Sequence, residues 1–293
     1  MTVDTMPRSQ SHVAGAAQRQ RRQTEFARIL PLLVLFLLFF DLPLLLTLGW
    51  SLRDPRAGGF TLGNYLDFAQ SPLYLPVLWR TFAMAGVVTA ACALLGYPLA
   101  LWMSRLSTAR QVVAVCFVVV PFWISILVRT YAWIVVLGNG GIVNRALKDL
   151  GLTTVPVSFL YNEYGVGLGM VNVLLPYLVL PLYAAMLRVD KRLLHVAATL
   201  GASDRAILWR VFIPITIPAL TATMVLVFIL SLGFYITPAI LGGGKVPMVA
   251  NMMDFMINRY PHWELAAAIS VCLLLMTLVF YSVYQWVRAR AAT

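Results

Sequence analysis

Long apolar stretches separated by short polar ones dominate the pattern along this chain. Six windows are about twenty residues long and almost free of charge, which is the length that a helix needs to cross a bilayer. The windows are Ile29–Trp50, Thr81–Met103, Val112–Leu137, Val166–Leu187, Ala219–Ile236 and Ala266–Val287. The pattern therefore predicts an all-α membrane protein with six transmembrane helices.

The composition supports this prediction and divides the chain. Of the 293 residues, 61% are hydrophobic and 11% are charged, whereas soluble domains carry about 25% charged residues. We expect a disordered cytoplasmic N-terminal tail over 1–28, because that segment is polar and has no signal-peptide cleavage site. A transmembrane domain over 29–288 and a short cytoplasmic C-terminal tail over 289–293 are predicted to follow.

Positive charge is concentrated at one set of span ends. With the N-terminus in the cytoplasm, 14 of the 22 lysines and arginines fall in the two tails and in the second-to-third and fourth-to-fifth connections. Lys and Arg near span ends are retained in the cytoplasm. The distribution predicts that both termini are cytoplasmic, and it explains the net charge of +11 without nucleic-acid binding.

The connection over 188–214 has a helical pattern of its own. Asp190 is placed to cap a helix that begins at Lys191, and Gly201 is placed to end it in a left-handed conformation. Ser203 is placed to cap a second short helix, which Pro214 is expected to stop. The sequence therefore predicts two amphipathic helices, rimmed by arginine, on the cytoplasmic side.

Two interpretations of this helix pair remain open on physical grounds. The basic residues suit helices that lie on anionic lipid headgroups. The alternative is a docking element for a soluble partner, which the small residues Ala197, Ala198 and Ala202 favour because they permit close protein contact. By their spacing, Leu193 and Leu194 are expected to share a face of the first helix with the first two of these alanines.

Several segments resemble known transport proteins. The stretch His195–Ser203, followed by Val211–Pro218, resembles the EAA loop of the permease subunits of ATP-binding-cassette (ABC) importers. Five further segments are similar to the spermidine/putrescine branch of these permeases: Phe60–Tyr65, Leu127–Trp133, Gly138–Asn144, Pro176–Leu187 and Thr237–Gly243. Permeases for ferric iron and for organophosphonates have similar segments, so these cargoes remain alternatives to a polyamine.

The resemblance implies a type I ABC importer permease in the bacterial inner membrane. Its implied partners are a pair of cytoplasmic ATPase subunits, a second permease subunit and a periplasmic substrate-binding protein. In this family the EAA loop is the coupling helix, which sits in a groove of the ATPase subunit. By position, the residues assigned to that coupling loop are Asp190, His195, Ala197, Ala198, Gly201, Ala202, Ser203 and Arg205.

The loop departs from the family pattern at two positions. His195 stands where the family has Glu, and Val196 replaces the first Ala. A mostly neutral histidine does not supply the negative charge of a carboxylate. This departure leaves open how tightly the loop docks on the ATPase subunit and which ATPase it selects. It also favours a heterodimer of two different permeases, in which one half can diverge.

Five residues are candidates for a substrate pathway: Asp41, Tyr131, Trp133, Tyr235 and Asp254. Asp41 lies inside the first window, where an ionised side chain costs roughly 2.5–3.5 kcal/mol and usually faces protein or water. A helix-packing hydrogen bond is the favoured alternative for Asp41. Aromatic rings attract amines, although anchoring at the membrane interface is the favoured alternative for Tyr131 and Trp133. Arg129 is expected to snorkel to the interface or to pair with a carboxylate.

No catalytic machinery is predicted in this chain. Gly242–Lys245 is a poor phosphate loop, because Val246 replaces the required Ser or Thr. The three histidines and three cysteines have no metal-ligand spacing, so neither a metal nor a cofactor is expected. ATP hydrolysis is expected in a separate subunit. The rival hypothesis is a secondary transporter that works alone, which the lack of a clear internal repeat disfavours.

Overall fold

A computed structural model describes residues 29–54 and 58–291 of the chain. The predicted tail over 1–28 lies outside the described residues, as do 292–293, whereas 289–291 continue the last helix. The helices are α1 (Ile29–Ser51), α2 (Gly63–Gln70), α3 (Tyr74–Ser104), α4 (Thr108–Trp123), α5 (Ile126–Leu137), α6 (Ile142–Asp149), α7 (Glu163–Leu187), α8 (Lys191–Thr199), α9 (Asp204–Leu232), α10 (Ile236–Leu241), α11 (Val249–Asn258) and α12 (Trp263–Ala291).

Six helical stretches of the described chain are long and apolar enough to cross a membrane, and the third of them, Ile126–Asp149, includes both α5 and α6. This finding confirms the six-span prediction, with shifts at the ends. The second span begins at Tyr74, earlier than the predicted Thr81. The fifth span ends at Leu232, earlier than the predicted Ile236, because the helix stops at Gly233.

The third predicted span is interrupted within the membrane. α4 ends in a short 3₁₀ turn over Val120–Trp123, and an extended Ile124 and a non-helical Ser125 follow before α5 begins. Pro121 has no N–H group, so it cannot donate to the helical ladder at this point. α5 alone is about 18 Å long, which is too short for a bilayer, so α4 and α5 together form the third crossing. α6 lies beyond a turn at 138–141 and carries charged side chains, so it does not extend that crossing.

The spans run between two ends of the helical bundle. The basic end is defined here as the end at which α3 and α7 stop and α4 and α9 begin. Its connections and helix ends carry the following basic residues: Arg105, Arg110, Arg188, Lys191, Arg192, Arg205, Arg210, Arg288 and Arg290. The short helices α2, α6, α10 and α11 belong to the connections at the opposite end.

The centre of the bundle is the pair α3 and α7, with α9 packed against both. Cys92 of α3 and Leu174, Leu178 and Leu182 of α7 belong to one buried apolar cluster. A Cβ atom on Gly96 of α3 would lie 2.6 Å from Cδ2 of Leu178, far inside van der Waals contact. A larger residue at this position would therefore force the Leu178 side chain to move.

The second helix of the 188–214 connection does not stop at Pro214, contrary to the prediction. α9 begins at Asp204 and runs without interruption to Leu232. A π turn over Leu208–Phe212 lies just before the proline, where the N–H of Ile213 donates to the carbonyl of Leu208. Because this turn already shifts the hydrogen-bond ladder, the N–H that Pro214 lacks is accommodated without a break. The connection and the fifth span are one helix.

α1 lies at the edge of the bundle. It packs along α12, and its most apolar window has no residue buried within the described chain. A π turn over Leu37–Asp41 interrupts its regular ladder. The outward surface of α1 is therefore available to lipid or to another subunit.

Candidate functional site

The turn between α8 and α9 has the caps that the sequence predicts. The Asp190 carboxylate accepts a hydrogen bond of 2.8 Å from the backbone N–H of Arg192, which starts α8. Gly201 follows α8 with a φ of 84°. The Ser203 hydroxyl accepts a hydrogen bond of 3.4 Å from the N–H of Ala206 and starts α9. These three residues fix a sharp turn at the basic end of the bundle.

An apolar stripe on α8 faces away from the bundle. Leu193, Val196 and Leu200 are 51%, 56% and 83% exposed, and their spacing places them on one side of the helix. Leu194 instead packs against the buried cluster of the bundle. The predicted grouping of Leu193 with Leu194 on one face is therefore wrong, because α8 turns these neighbours in different directions.

A cleft of about 1030 Å³ opens at the basic end between α8, the start of α9 and the connection from α3 to α4. Its lining includes Arg105, Lys191, His195, Ala198, Asp204 and Arg205. Three of these residues, His195, Ala198 and Arg205, were assigned to the coupling loop from the sequence. Basic side chains outnumber acidic ones among the described lining residues, so the cleft favours an acidic partner.

A second cavity, of about 450 Å³, lies where α4 and α5 meet. It is lined by Phe122, Trp123, Ile124, Ser125, Ile126, Arg129, Val173, Leu174, Tyr177, Leu230 and Phe234. Arg129 is in the first turn of α5, and its Nε atom is buried without a hydrogen-bond partner in the described chain. Of the two expectations for Arg129, the pairing with a carboxylate is not found among the described residues. The cavity combines one guanidinium with several aromatic rings.

A polar cluster lies at the opposite end of the bundle. The Tyr235 hydroxyl donates a hydrogen bond of 3.1 Å to Oδ2 of Asp254. Asn258 donates to Oδ1 of the same carboxylate at 2.7 Å, and Asn251 donates to the Tyr235 carbonyl at 2.9 Å. The hydrogen bond to Asp254 raises the pKa of the Tyr235 phenol above its ordinary value, since the carboxylate stabilises the protonated hydroxyl.

Comparison with known proteins assigns the chain to a family. No family model matches it. It is 37% identical over 259 residues to the spermidine/putrescine transport system permease protein PotB of Haemophilus influenzae, covering 85% of this chain and 90% of that protein. It is 33% identical over 252 residues to the PotB protein of Escherichia coli, covering 84% and 91%. The chain belongs to the spermidine/putrescine permeases of ABC transporters.

Solved structures show the fold of this permease. A chain of the bacterial alginate ABC transporter, crystallised with an alginate-bound periplasmic protein, matches with a TM-score of 0.72 and 18% identity. The match covers 90% of this permease and 93% of that chain. At this identity it supports the fold alone, which is the ABC importer permease fold that the sequence resemblance implied.

The structure brings together two of the five pathway candidates of the permease. Tyr235 and Asp254 are in direct contact. Trp133 is half-buried and packs against the bundle core, while Tyr131, two residues earlier, is exposed. Asp41 lies on the peripheral helix α1, and its carboxylate has no hydrogen bond in the described chain, so the predicted packing hydrogen bond is not found there.

The aromatic cavity beside Arg129 was missed by sequence reasoning. Its rings come from three distant segments, represented by Trp123, Tyr177 and Phe234, so no local pattern indicates that they meet. A signal for the break was present, because Pro121 and Ser125 interrupt an otherwise apolar window. Long apolar windows hide such breaks, since hydropathy averages over them.

Proposed function

We propose that this permease moves a polyamine such as spermidine or putrescine across the inner membrane. The observation that carries the proposal is the 37% identity to a curated spermidine/putrescine permease over most of both chains. The Tyr235–Asp254 contact supports it, because a carboxylate beside an aromatic ring suits an ammonium group. Each carboxylate oxygen of Asp254 accepts one hydrogen bond in the described chain, which leaves acceptor capacity for an amine.

We propose that the permease works within a larger complex. Two cytoplasmic ATPase subunits supply the energy, a second and different permease subunit completes the pathway, and a periplasmic binding protein delivers the cargo. The basic end then faces the cytoplasm with both termini, since Lys and Arg are retained there. The connections with α2, α6, α10 and α11 face the binding protein.

The turn between α8 and α9 is proposed as the coupling element. The exposed stripe of Leu193, Val196 and Leu200 supports docking. These side chains present apolar surface that a groove in the ATPase would bury. A lipid surface is the alternative occupant of this stripe. The basic cleft beside the stripe favours acidic residues around the docking groove of the ATPase. His195, which replaces the family's Glu, is part of the lining of that cleft.

Reconstitution of the complete complex in liposomes tests the cargo. We expect ATP-dependent uptake of labelled spermidine or putrescine only when the binding protein is present. Asp254→Asn is expected to lower uptake more than Asp67→Asn, which changes another acid in a connection at the same end. Uptake of ferric iron or of an organophosphonate, with no polyamine uptake, would assign the permease to one of the alternative cargoes.

A double variant tests the coupling element. Arg205→Glu reverses a charge in the cleft, and Gly201→Trp adds bulk and strains a residue with positive φ. We expect the pair to abolish polyamine uptake and transport-linked ATP hydrolysis. Arg110→Glu is the matched control, because it reverses a charge at the same end outside the cleft. Normal coupling in the double variant would refute the assignment.

A further inference from the structure

We propose that Arg129 forms an ion pair, inside the membrane, with an aspartate or glutamate side chain of the second permease subunit. The inference rests on the proposed function insofar as it requires a second permease subunit. It goes beyond that function by assigning a residue, a depth and a chemical partner to the contact between the two permeases.

Arg129 lies at membrane depth and lacks a partner of its own. It is eight residues before the end of α5 at Leu137, so it lies about 12 Å along the helix from the opposite end of the bundle. Its Nε atom is buried and has no hydrogen-bond partner in the described chain. Charged groups at this depth almost always face protein or water and pair with another group. The described chain supplies no partner for this atom, so the proposal assigns one from outside it.

The helix break beside Arg129 shows that this face is not exposed to lipid in the working protein. Ile124 is extended and Ser125 is non-helical, and Ile124 is 43% exposed in the isolated chain. Non-helical backbone at membrane depth occurs only where protein or a water-filled cavity covers it. A second permease subunit covers this face in the proposed complex, and it provides the surface from which a side chain enters the cavity.

The electrostatics of the cavity specify an acidic partner. Arg129 supplies a full positive charge, and the first-turn N–H groups of α5 add the positive end of the helix dipole. The Ser125 side chain does not cap those N–H groups. The described residues that line the cavity include no carboxylate. One aspartate or glutamate would satisfy both the guanidinium and the open helix end.

The cargo gives a second reason for neutralising Arg129. A polyamine carries several positive charges, and an unpaired guanidinium beside its route would repel it. An ion pair with the second permease removes that repulsion while it fixes the register of the two subunits. The cavity volume of about 450 Å³ is ample for a carboxylate side chain.

Charge removal in the assembled complex tests the pair. The complex is purified through a tag on this chain, and the second permease retained after detergent washing is quantified for wild type, Arg129→Gln and Arg129→Lys. We expect Arg129→Gln to lower retention at least tenfold, because the partner carboxylate is left buried and unpaired. Arg129→Lys keeps the charge and is expected to retain most of the second permease.

The matched control is Arg80→Gln. Arg80 pairs with Glu163 of the same chain at 3.3 Å, and the Glu163 side chain is largely exposed. Loss of this ion pair is therefore expected to leave retention of the second permease unchanged. The isolated Arg129→Gln subunit is expected to melt at the wild-type temperature, because the Arg129 side chain makes no hydrogen bond or ion pair within the described chain. A lower melting temperature would show that Arg129 acts within its own chain and would overturn the inference.

The partner residue is found by neutralising each aspartate and glutamate in the spans of the second permease. One of these changes is expected to lower retention as Arg129→Gln does, and combining the two is expected to recover part of the loss. If the second subunit is another copy of this chain, Asp41 is the acid to change. Wild-type retention in Arg129→Gln, or in every acid variant, would overturn the inference alone. Absence of any second permease with the wild-type chain would overturn the proposed function as well.

Discussion

Leu200 offers a direct test of the proposed docking surface at the end of α8. Its side chain is 83% exposed in the described chain, and Leu200→Ala removes three carbon atoms. At about 0.8 kcal/mol for each buried methylene, docking that covers this exposed area would lose about 2 kcal/mol. That loss corresponds to a roughly 30-fold weaker affinity for the ATPase subunit. The isolated permease should lose little stability, because the side chain contributes little to its core.

The assay is binding of the purified ATPase subunit to the permease complex in lipid nanodiscs, measured beside polyamine-stimulated ATP hydrolysis. Leu94→Ala is the control, since Leu94 is 75% exposed on α3 and lies well inside a span. We expect Leu200→Ala to weaken binding and stimulation, and Leu94→Ala to change neither. Wild-type binding by Leu200→Ala would refute the docking surface, and equal losses in both variants would show that the assay reports general damage.

Three further predictions concern stability and titration. Gly96→Ala places a Cβ atom 2.6 Å from Leu178, whereas Gly86→Ala on the same helix meets nothing within 4 Å, so thermal unfolding in detergent should show Gly96→Ala less stable by about 1–3 kcal/mol. Asn144→Ala removes hydrogen bonds to the backbone of Gly138 and Val157. It should lower the free energy of unfolding by about 2 kcal/mol and speed amide hydrogen exchange in the connection from α5 to α7. Unchanged exchange would contradict the role of Asn144 in holding this connection. Asp254→Asn should lower the raised pKa of Tyr235, so that tyrosinate absorbance develops at a lower pH during alkaline titration. The folding stability linked to the raised pKa is present at neutral pH and is lost only above the ordinary phenol pKa of about 10.

The sequence was sufficient for the features that depend on local chemistry. Apolar length alone predicts six crossings, because a bilayer imposes a minimum helix length on any chain. The turn after α8 was also predictable, since an Asp or Ser with a free side-chain oxygen caps a helix and glycine accepts positive φ. Asp190, Gly201 and Ser203 have these conformations in the structure.

The errors arose where a proline met a long apolar window. Pro121 lies at a real break, although the window around it predicted one continuous span. Pro214 was expected to stop a helix, yet the π turn before it lets α9 continue. The residue type is the same at both positions, so the conformation of the turn around the proline, and not the proline alone, decides the outcome. That property is set by packing around the turn and is not written in the local sequence.

The continuity of α9 changes how the coupling element is expected to act. A separate short helix ending at Pro214 would pass motion to the spans through a flexible joint. In the structure, the helix α9 both contributes Asp204 and Arg205 to the lining of the basic cleft and packs against α3 and α7. The Tyr97 and Thr216 hydroxyls, 2.8 Å apart, tie that helix to α3. Its far end stops at Gly233, two residues before Tyr235, whose hydroxyl contacts Asp254. In the proposed function, a displacement imposed at Arg205 would therefore reach the polar cluster at the opposite end along one continuous helix.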